Sequence, residues 1–166
     1  MKNVRDILYG SSIKEVVGTT AVDINALVFD SRAVMPNDLF VAIKGAVVDG
    51  HDFIDKAIAN GASVIVCEEK PKELNGKVNY VVVDDAHKTL SVLANNFYDQ
   101  PSKKLKLVGV TGTNGKTTTT TLLYNLFMKM GIPVGLISTV VNRINDVAIP
   151  TERTTPDAVS LNKLLA

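Results

Sequence analysis

The chain has 166 residues, enough for one large domain or two small ones, and 46% hydrophobic with 21% charged residues is the composition of an ordinary globular protein. Eighteen basic residues against seventeen acidic leave a net charge of +1, which excludes a general electrostatic footprint for nucleic acid or an anionic membrane, so any anion must be held locally. The start, MKNVRDILYG, is charged and has no apolar leader core, and no apolar run approaches the ~20 residues of a membrane span; a cytoplasmic chain without membrane insertion is expected.

In chain order, LFVAIK (Leu39 to Lys44) reads as a strand. After a Gly and Asp-rich loop, Asp52 to Ala59 puts Phe53, Ile54, Ala57 and Ile58 on one helical face, closed by Asn60-Gly61. Ser63 to Cys67 reads as a buried strand, with the single cysteine Cys67 a core residue. Pro71 to Lys77 is polar and turn-like, and YVVV (Tyr80 to Val83) is another short strand. Asp84 or Asp85 can cap a helix bearing Leu90, Leu93, Ala94 and Phe97. This is a βαβ rhythm. DQPSKKLK (Asp99 to Lys106) reads as a solvated linker, which divides the chain into domains 1–100 and 101–166. Beyond it, Leu105 to Val110 is expected as a strand, Lys116 to Met130 as a helix with Leu122, Leu123, Leu126, Phe127 and Met130 facing a core, and Val134 to Ser138 as a second strand. A hairpin around Asn142 to Asp146 and an amphipathic stretch with Val159, Leu161, Leu164 and Leu165 follow. His51 and His87 have no metal-ligand partners at useful spacing and are expected at the surface or at helix edges.

The stretch GVTGTNGKTTTTTLL (Gly109 to Leu123) lies between an expected strand and an expected helix, where a phosphate-binding loop belongs. Its glycines let backbone N–H groups converge on an anion, the helix start adds unpaired donors, and Lys116 can reach the terminal phosphates. Thr117 is the candidate Mg²⁺ ligand. The pattern departs from G-x-x-x-x-G-K-[ST], because position 110 is Val110 rather than glycine. An unrelated P-loop NTPase or kinase would require an Asp-ending apolar strand downstream or an N-K-x-D, and neither occurs.

TGTNGKTT resembles the ATP loop of the Mur ligases, the ATP-dependent amide-forming enzymes of peptidoglycan precursor synthesis. FDSRAVMPNDLFVAIKG (Phe29 to Gly45) with VDGHDFIDKAIANGASVIVCE (Val48 to Glu68) looks like the domain that grips the uridine nucleotide in the diamino-acid-adding branch, and PTERTTPD (Pro150 to Asp157) is similar to its segment for the muramoyl-dipeptide. The resemblance implies a small mixed α/β UDP-sugar-binding domain followed by the truncated start of a P-loop parallel-sheet ATP-binding domain. It implies that Ser31, Ala46, Val47 and Val48 contact UDP-MurNAc-L-Ala-D-Glu, that Thr154 and Thr155 hold its dipeptide, and that Gly112, Thr113, Asn114, Gly115, Lys116, Thr117 and Thr118 hold ATP and Mg²⁺, with Lys116 catalytic. In the implied reaction ATP phosphorylates the D-Glu γ-carboxylate, and the amine of a diamino acid, meso-diaminopimelate in the family-level reading, displaces phosphate. The family's acidic metal ligand, modified lysine and diamino-acid-selecting domain are not among these residues. The expectation is therefore an amino-terminal fragment that does not ligate alone, the alternative being a stand-alone, non-catalytic nucleotide or UDP-sugar-binding module.

Overall fold

The computed structural model describes residues 1–45, 47–149 and 156–166. The described residues form two compact units, one of Met1–Lys104 with Ala158–Ala166, the other of Leu105–Asp157. The break thus falls after Lys104 rather than at 100/101, and the last residues, expected with the second domain, group with the first unit.

The first unit opens with β1 (Lys2–Asn3) and the single turn α1 (Val4–Ile7), followed by β2 (Ile13–Val17), β3 (Asp23–Ile24), β4 (Leu27–Val28) and β5 (Leu39–Val41). A 3₁₀ turn at Gly50–Phe53 leads into α2 (Ile54–Ala59), then come β6 (Val64–Cys67), β7 (Asn79–Val83) and α3 (Ala86–Phe97). The main sheet has the order β2-β7-β6-β5-β4. β4, β5, β6 and β7 are mutually parallel, and β2 joins as an antiparallel edge. β1 pairs with β3 in a separate ribbon.

Burial on both faces follows from the alternation along each central strand. Leu39, Val41, Val64, Val66, Val81 and Val83 turn to one side, where Val4 and Ile7 of α1 and Leu90, Leu93 and Ala94 of α3 meet them. Phe40, Ala42, Ile65, Cys67, Tyr80 and Val82 turn to the other, against Ile54 and Ala57 of α2. The α/β class is thus built as three layers. α3 starts where Asp85 accepts a hydrogen bond from the Lys88 amide at 2.9 Å, one of the two caps foreseen.

Cys67 is fully buried, and burial pushes its thiol up to about 11. Since the thiolate is the reactive form, a thiol reagent at pH 8 should label Cys67 about 10²-fold more slowly in the native chain than after denaturant is added. Fast labelling of the native chain would contradict the buried position of β6.

The second unit holds α4 (Lys116–Lys129), β8 (Gly135–Leu136), β9 (Asn142–Ile144) and β10 (Val147–Ile149). Here three expectations fail in whole or in part. Residues 105–110 join no ladder among the described residues, and Leu107 and Val108 are exposed. A buried parallel strand needs hydrogen-bonding neighbours and apolar cover on both faces, and no described strand supplies them. On α4 only Tyr124 is buried, while Leu122, Leu126 and Met130 are exposed. The expected strand at Val134 to Ser138 is reduced to β8, which pairs antiparallel with β9. The hairpin is present: β9 and β10 are joined by Asn145 and Asp146, with Asn145 at φ 48°, a conformation that a two-residue hairpin turn demands. The last helix, α5 (Ala158–Leu165), sets Ala158 and Val159 against the α3 side of the first unit's core.

Candidate functional site

Two loops sit side by side at the carboxyl end of the parallel strands, the end at which open α/β sheets bind ligands. The first follows β4. Ser31 is 6% exposed in a turn that Asp30 organises by accepting the Arg32 amide at 3.0 Å, and the Ser31 carbonyl accepts Asn60 Nδ2 at 2.8 Å. Arg32 doubles the turn by donating Nε to Asp30 Oδ1 at 2.9 Å and Nη2 to Oδ2 at 2.7 Å. The side-chain bond from Arg32 is the main cause that lowers the Asp30 pKa to about 2, with the Arg32 amide next.

Because folding lowers this pKa, the interaction favours the folded chain above the ordinary carboxylate value of 3.8 and is lost as pH falls through about 2. Both side chains are largely in solvent, so the effect on global stability is small. The local effect is not. Arg32→Ala should return the Asp30 titration toward 3.8, read by carbon-detected NMR of its carboxylate, and an unmoved midpoint would remove Arg32 from the turn's organisation.

The second loop follows β5 and returns at a Lys44 to Asp49 antiparallel bridge. Gly45 donates to the Val48 carbonyl at 3.0 Å and Gly50 to the Ile43 carbonyl at 2.8 Å. Gly50 is required by close approach, since a Cβ there would lie 2.6 Å from Ile43 backbone atoms. Val47 and Val48 are exposed on this loop; Ala46 lies outside the described residues. The support of this loop has no signal in residue spacing. His51, expected as a surface or edge residue, has its ring inside a hydrogen-bonded tie: Nδ1 lies 2.6 Å from Asp49 Oδ1, and Nε2 accepts the Glu68 amide at 3.0 Å. Hydrogen bonds from the amide and ring of His51 hold the Asp49 carboxyl below its usual range.

The glycine-rich loop belongs to the second unit. Gly112 and Gly115 have φ of 150° and 80°, and a Cβ on either would meet no protein atom closer than 3.7 Å. Their backbone conformation, rather than crowding by the protein, calls for glycine. Gly115 is also the cap residue of α4, and no side chain caps that helix, so the first-turn N–H groups are free to serve an anion. Lys116 Nζ lies over the loop, donating to the carbonyls of Gly112 and, at 3.3 Å, Thr113. Gly112 to Lys116 and Thr118 are exposed, and Thr117 is half-buried. Thr120 returns its hydroxyl to the carbonyls of Lys116 and Thr117 at 3.0 and 3.1 Å, which explains how a run of β-branched residues is accommodated in a helix. A cleft of about 360 Å³ opens beside the loop, lined among others by Thr117, Thr121, Tyr124, Ser138 and Arg143. The donor set fits a polyphosphate. No group of three or more His, Cys, Asp or Glu suited to a metal occurs among the described residues.

Thr154 and Thr155 lie outside the described residues. Ser31 lies in the loop after β4 and Val47 and Val48 in the loop after β5, both in the first unit, and residues 112–118 lie at the start of α4 in the second. No described helix is long and apolar enough to cross a membrane.

Known proteins resemble the chain along nearly its whole length. The ligase named UDP-N-acetylmuramoyl-L-alanyl-D-glutamate--2,6-diaminopimelate ligase from Cytophaga hutchinsonii is 52% identical over 98% of this chain and 34% of its own length, and its namesake from Phocaeicola vulgatus is 50% identical over 96% and 33%. The chain spans about a third of the length of these relatives. A solved structure of a UDP-N-acetylmuramoyl-L-alanyl-D-glutamate--2,6-diaminopimelate ligase matches 99% of this chain and 32% of that one with a TM-score of 0.73 at 24% identity, a likeness of fold. MurF from Acinetobacter baumannii matches 86% of this chain and 27% of that one, with a TM-score of 0.55 at 27% identity. The model described as Mur ligase family, catalytic domain matches residues 23–98, and the Mur ligase middle domain matches residues 110–166. With both of the family's models matched in order along it, the chain belongs to the Mur ligase family.

Proposed function

We propose that this chain supplies the nucleotide-sugar grip and the ATP loop of an ATP-dependent amide ligase that joins a diamino acid, meso-diaminopimelate, to UDP-MurNAc-L-Ala-D-Glu in peptidoglycan precursor synthesis. The observation that carries this reading is the 52% identity over nearly the whole chain to a ligase named for that reaction. The geometry supports it with two separate anchoring places, a pair of loops at the carboxyl end of a parallel sheet and an uncapped glycine-rich loop before α4.

In this reading Ser31, Ala46, Val47 and Val48 bind the UDP part, and Thr154 and Thr155 bind the dipeptide. Gly112, Thr113, Asn114, Gly115 and Thr118 cradle ATP through backbone donors, and Thr117 offers its hydroxyl to Mg²⁺. ATP with Mg²⁺, when bound, would supply the phosphoryl group that turns a carboxylate into an electrophile. Lys116, whose ammonium lies over the loop, is the catalytic residue and would balance charge on the transferring group, which is the largest service a protein offers that step.

Calorimetric titration provides the test. Tight binding of UDP-MurNAc-L-Ala-D-Glu in preference to UDP-glucose is expected, and equal or absent binding of both would overturn the reading. The 166-residue chain alone is not expected to ligate. ADP formation by it that depends on both the UDP-sugar dipeptide and a diamino acid, and that is lost in Lys116→Ala, would contradict the proposal. A stand-alone, non-catalytic binding module is the alternative; the exposed Leu122, Leu126 and Met130 weigh against it, because an independent module buries such a row. The intact mass of the natural product, detected with an antibody to this region, separates the two.

A further inference from the structure

We propose that His51 is a positioning residue that fixes the loop between Lys44 and Asp49 in the shape that receives the nucleotide-sugar; the substrate half of this inference rests on the function proposed above. The loop is closed at its base by main-chain bonds from Gly45 and Gly50, and the main-chain bond from this segment to the neighbouring strand, that of Ala42 to the Val66 carbonyl at 2.8 Å, comes before the loop begins. His51 adds a further tie. Its backbone N–H donates to Asp49 Oδ1 at 3.0 Å, its ring Nδ1 lies 2.6 Å from the same oxygen, and its Nε2 accepts the amides of Glu68 at 3.0 Å and Glu69 at 3.4 Å.

These bonds fix the polarity of the ring. Nε2 faces an N–H and must accept, so Nδ1 carries the proton and donates to Asp49. The imidazole thereby bridges the loop after β5 and the end of β6, two adjacent parallel strands. Glu68 extends the connection, since its carboxylate accepts the Ala86 amide at 2.8 Å at the start of α3. The ring's side chain is only 18% exposed, whereas Val47 at the loop tip is 94% exposed. A rigidly tied base under an outward-facing tip is the arrangement a binding loop needs when its geometry must exist before the ligand arrives.

Three variants separate the two bonds. Asn places an amide nitrogen near the Nδ1 position and keeps the donation to Asp49; Gln places an oxygen near Nε2 and keeps the acceptor for Glu68; Ala keeps neither. The readouts are amide hydrogen exchange and calorimetry, on the protein at the length its gene encodes. His51→Ala should speed exchange at Gly45 and Gly50 about tenfold, weaken UDP-MurNAc-L-Ala-D-Glu by a similar factor and leave ATP affinity unchanged. His51→Asn and His51→Gln should each recover part of both losses. Exchange that accelerates equally in β6 and β7, with ATP and UDP-sugar affinity falling together, would show a general packing role and overturn the proposal. So would unchanged exchange and affinity. A parent protein that binds no UDP-MurNAc-dipeptide defeats the functional reading and the substrate role of His51 with it. A parent that binds, with variants that do not differ, defeats the role of His51 alone.

Discussion

Replacing Lys116 with alanine is expected to weaken ATP binding by about 30- to 150-fold, the loss of roughly 2–3 kcal/mol that attends removal of a charged hydrogen-bond donor. Several observations lead to this value. The Lys116 ammonium is exposed and, among the described residues, bonds to the carbonyls of its own loop at Gly112 and Thr113, so a polyphosphate can take it over without breaking any packing. The chain has a net charge of only +1, so no general positive field compensates for a lost local cation. The remaining donors are main-chain N–H groups at the start of α4, which the substitution leaves in place, so binding is weakened rather than abolished. Lys116→Arg should recover little, because a planar fork does not reproduce a compact ammonium at a tight loop. Calorimetry with Mg-ATP, on the protein at the length its gene encodes, gives the affinities. Thermal unfolding serves as control, since an exposed side chain at the edge of α4 should not change the melting temperature. Equal affinity in parent and variant would remove Lys116 from the ATP site.

The first unit was largely legible because both of its signals were local. Val64 to Cys67 and Tyr80 to Val83 are short apolar runs bounded by turn residues, and they became the buried centre of the sheet. The helix bearing Leu90, Leu93 and Ala94 begins at a cap that its own sequence announces, Asp85. β2 was missed because IKEVV lacks regular alternation and sits at a sheet edge, where one face stays wet and the pattern is weak. The second unit misled for the opposite reason. Leu122, Leu126 and Met130 have helical spacing and the helix formed, but periodicity declares which residues could share a face and says nothing of what covers it. In the same way LKLVGV has strand composition, yet a parallel strand exists only through its neighbours. Site legibility split likewise. The glycine-rich loop was visible from residue types and spacing, whereas the role of His51 depends on Glu68, seventeen residues away in sequence, and no spacing rule reveals that contact.

This contrast between the units gives the second large effect, on stability. Leu93→Ala should destabilise the 166-residue chain by about 2–5 kcal/mol, while Leu126→Ala should cost under about 1 kcal/mol. Periodicity alone assigns both leucines to a core. Leu93 is wholly buried among residues of α1, α3 and the central strands, including Val66 and Val83, so truncation removes apolar contacts and leaves a cavity that β-branched neighbours on a hydrogen-bonded sheet are poorly placed to fill. Leu126 is 52% exposed on α4, so its truncation returns little surface to water and opens no cavity. A domain of this size is stable by about 5–15 kcal/mol in all, so the first substitution consumes a large share of that margin. It should lower the melting temperature of the first unit by roughly 10–20 °C. Denaturant unfolding followed by far-ultraviolet circular dichroism measures both variants. Equal losses at the two sites would mean that α4 is packed as tightly as α3, contrary to the exposure of its apolar face. A small loss at Leu93 would mean that α3 is not the lid of the sheet.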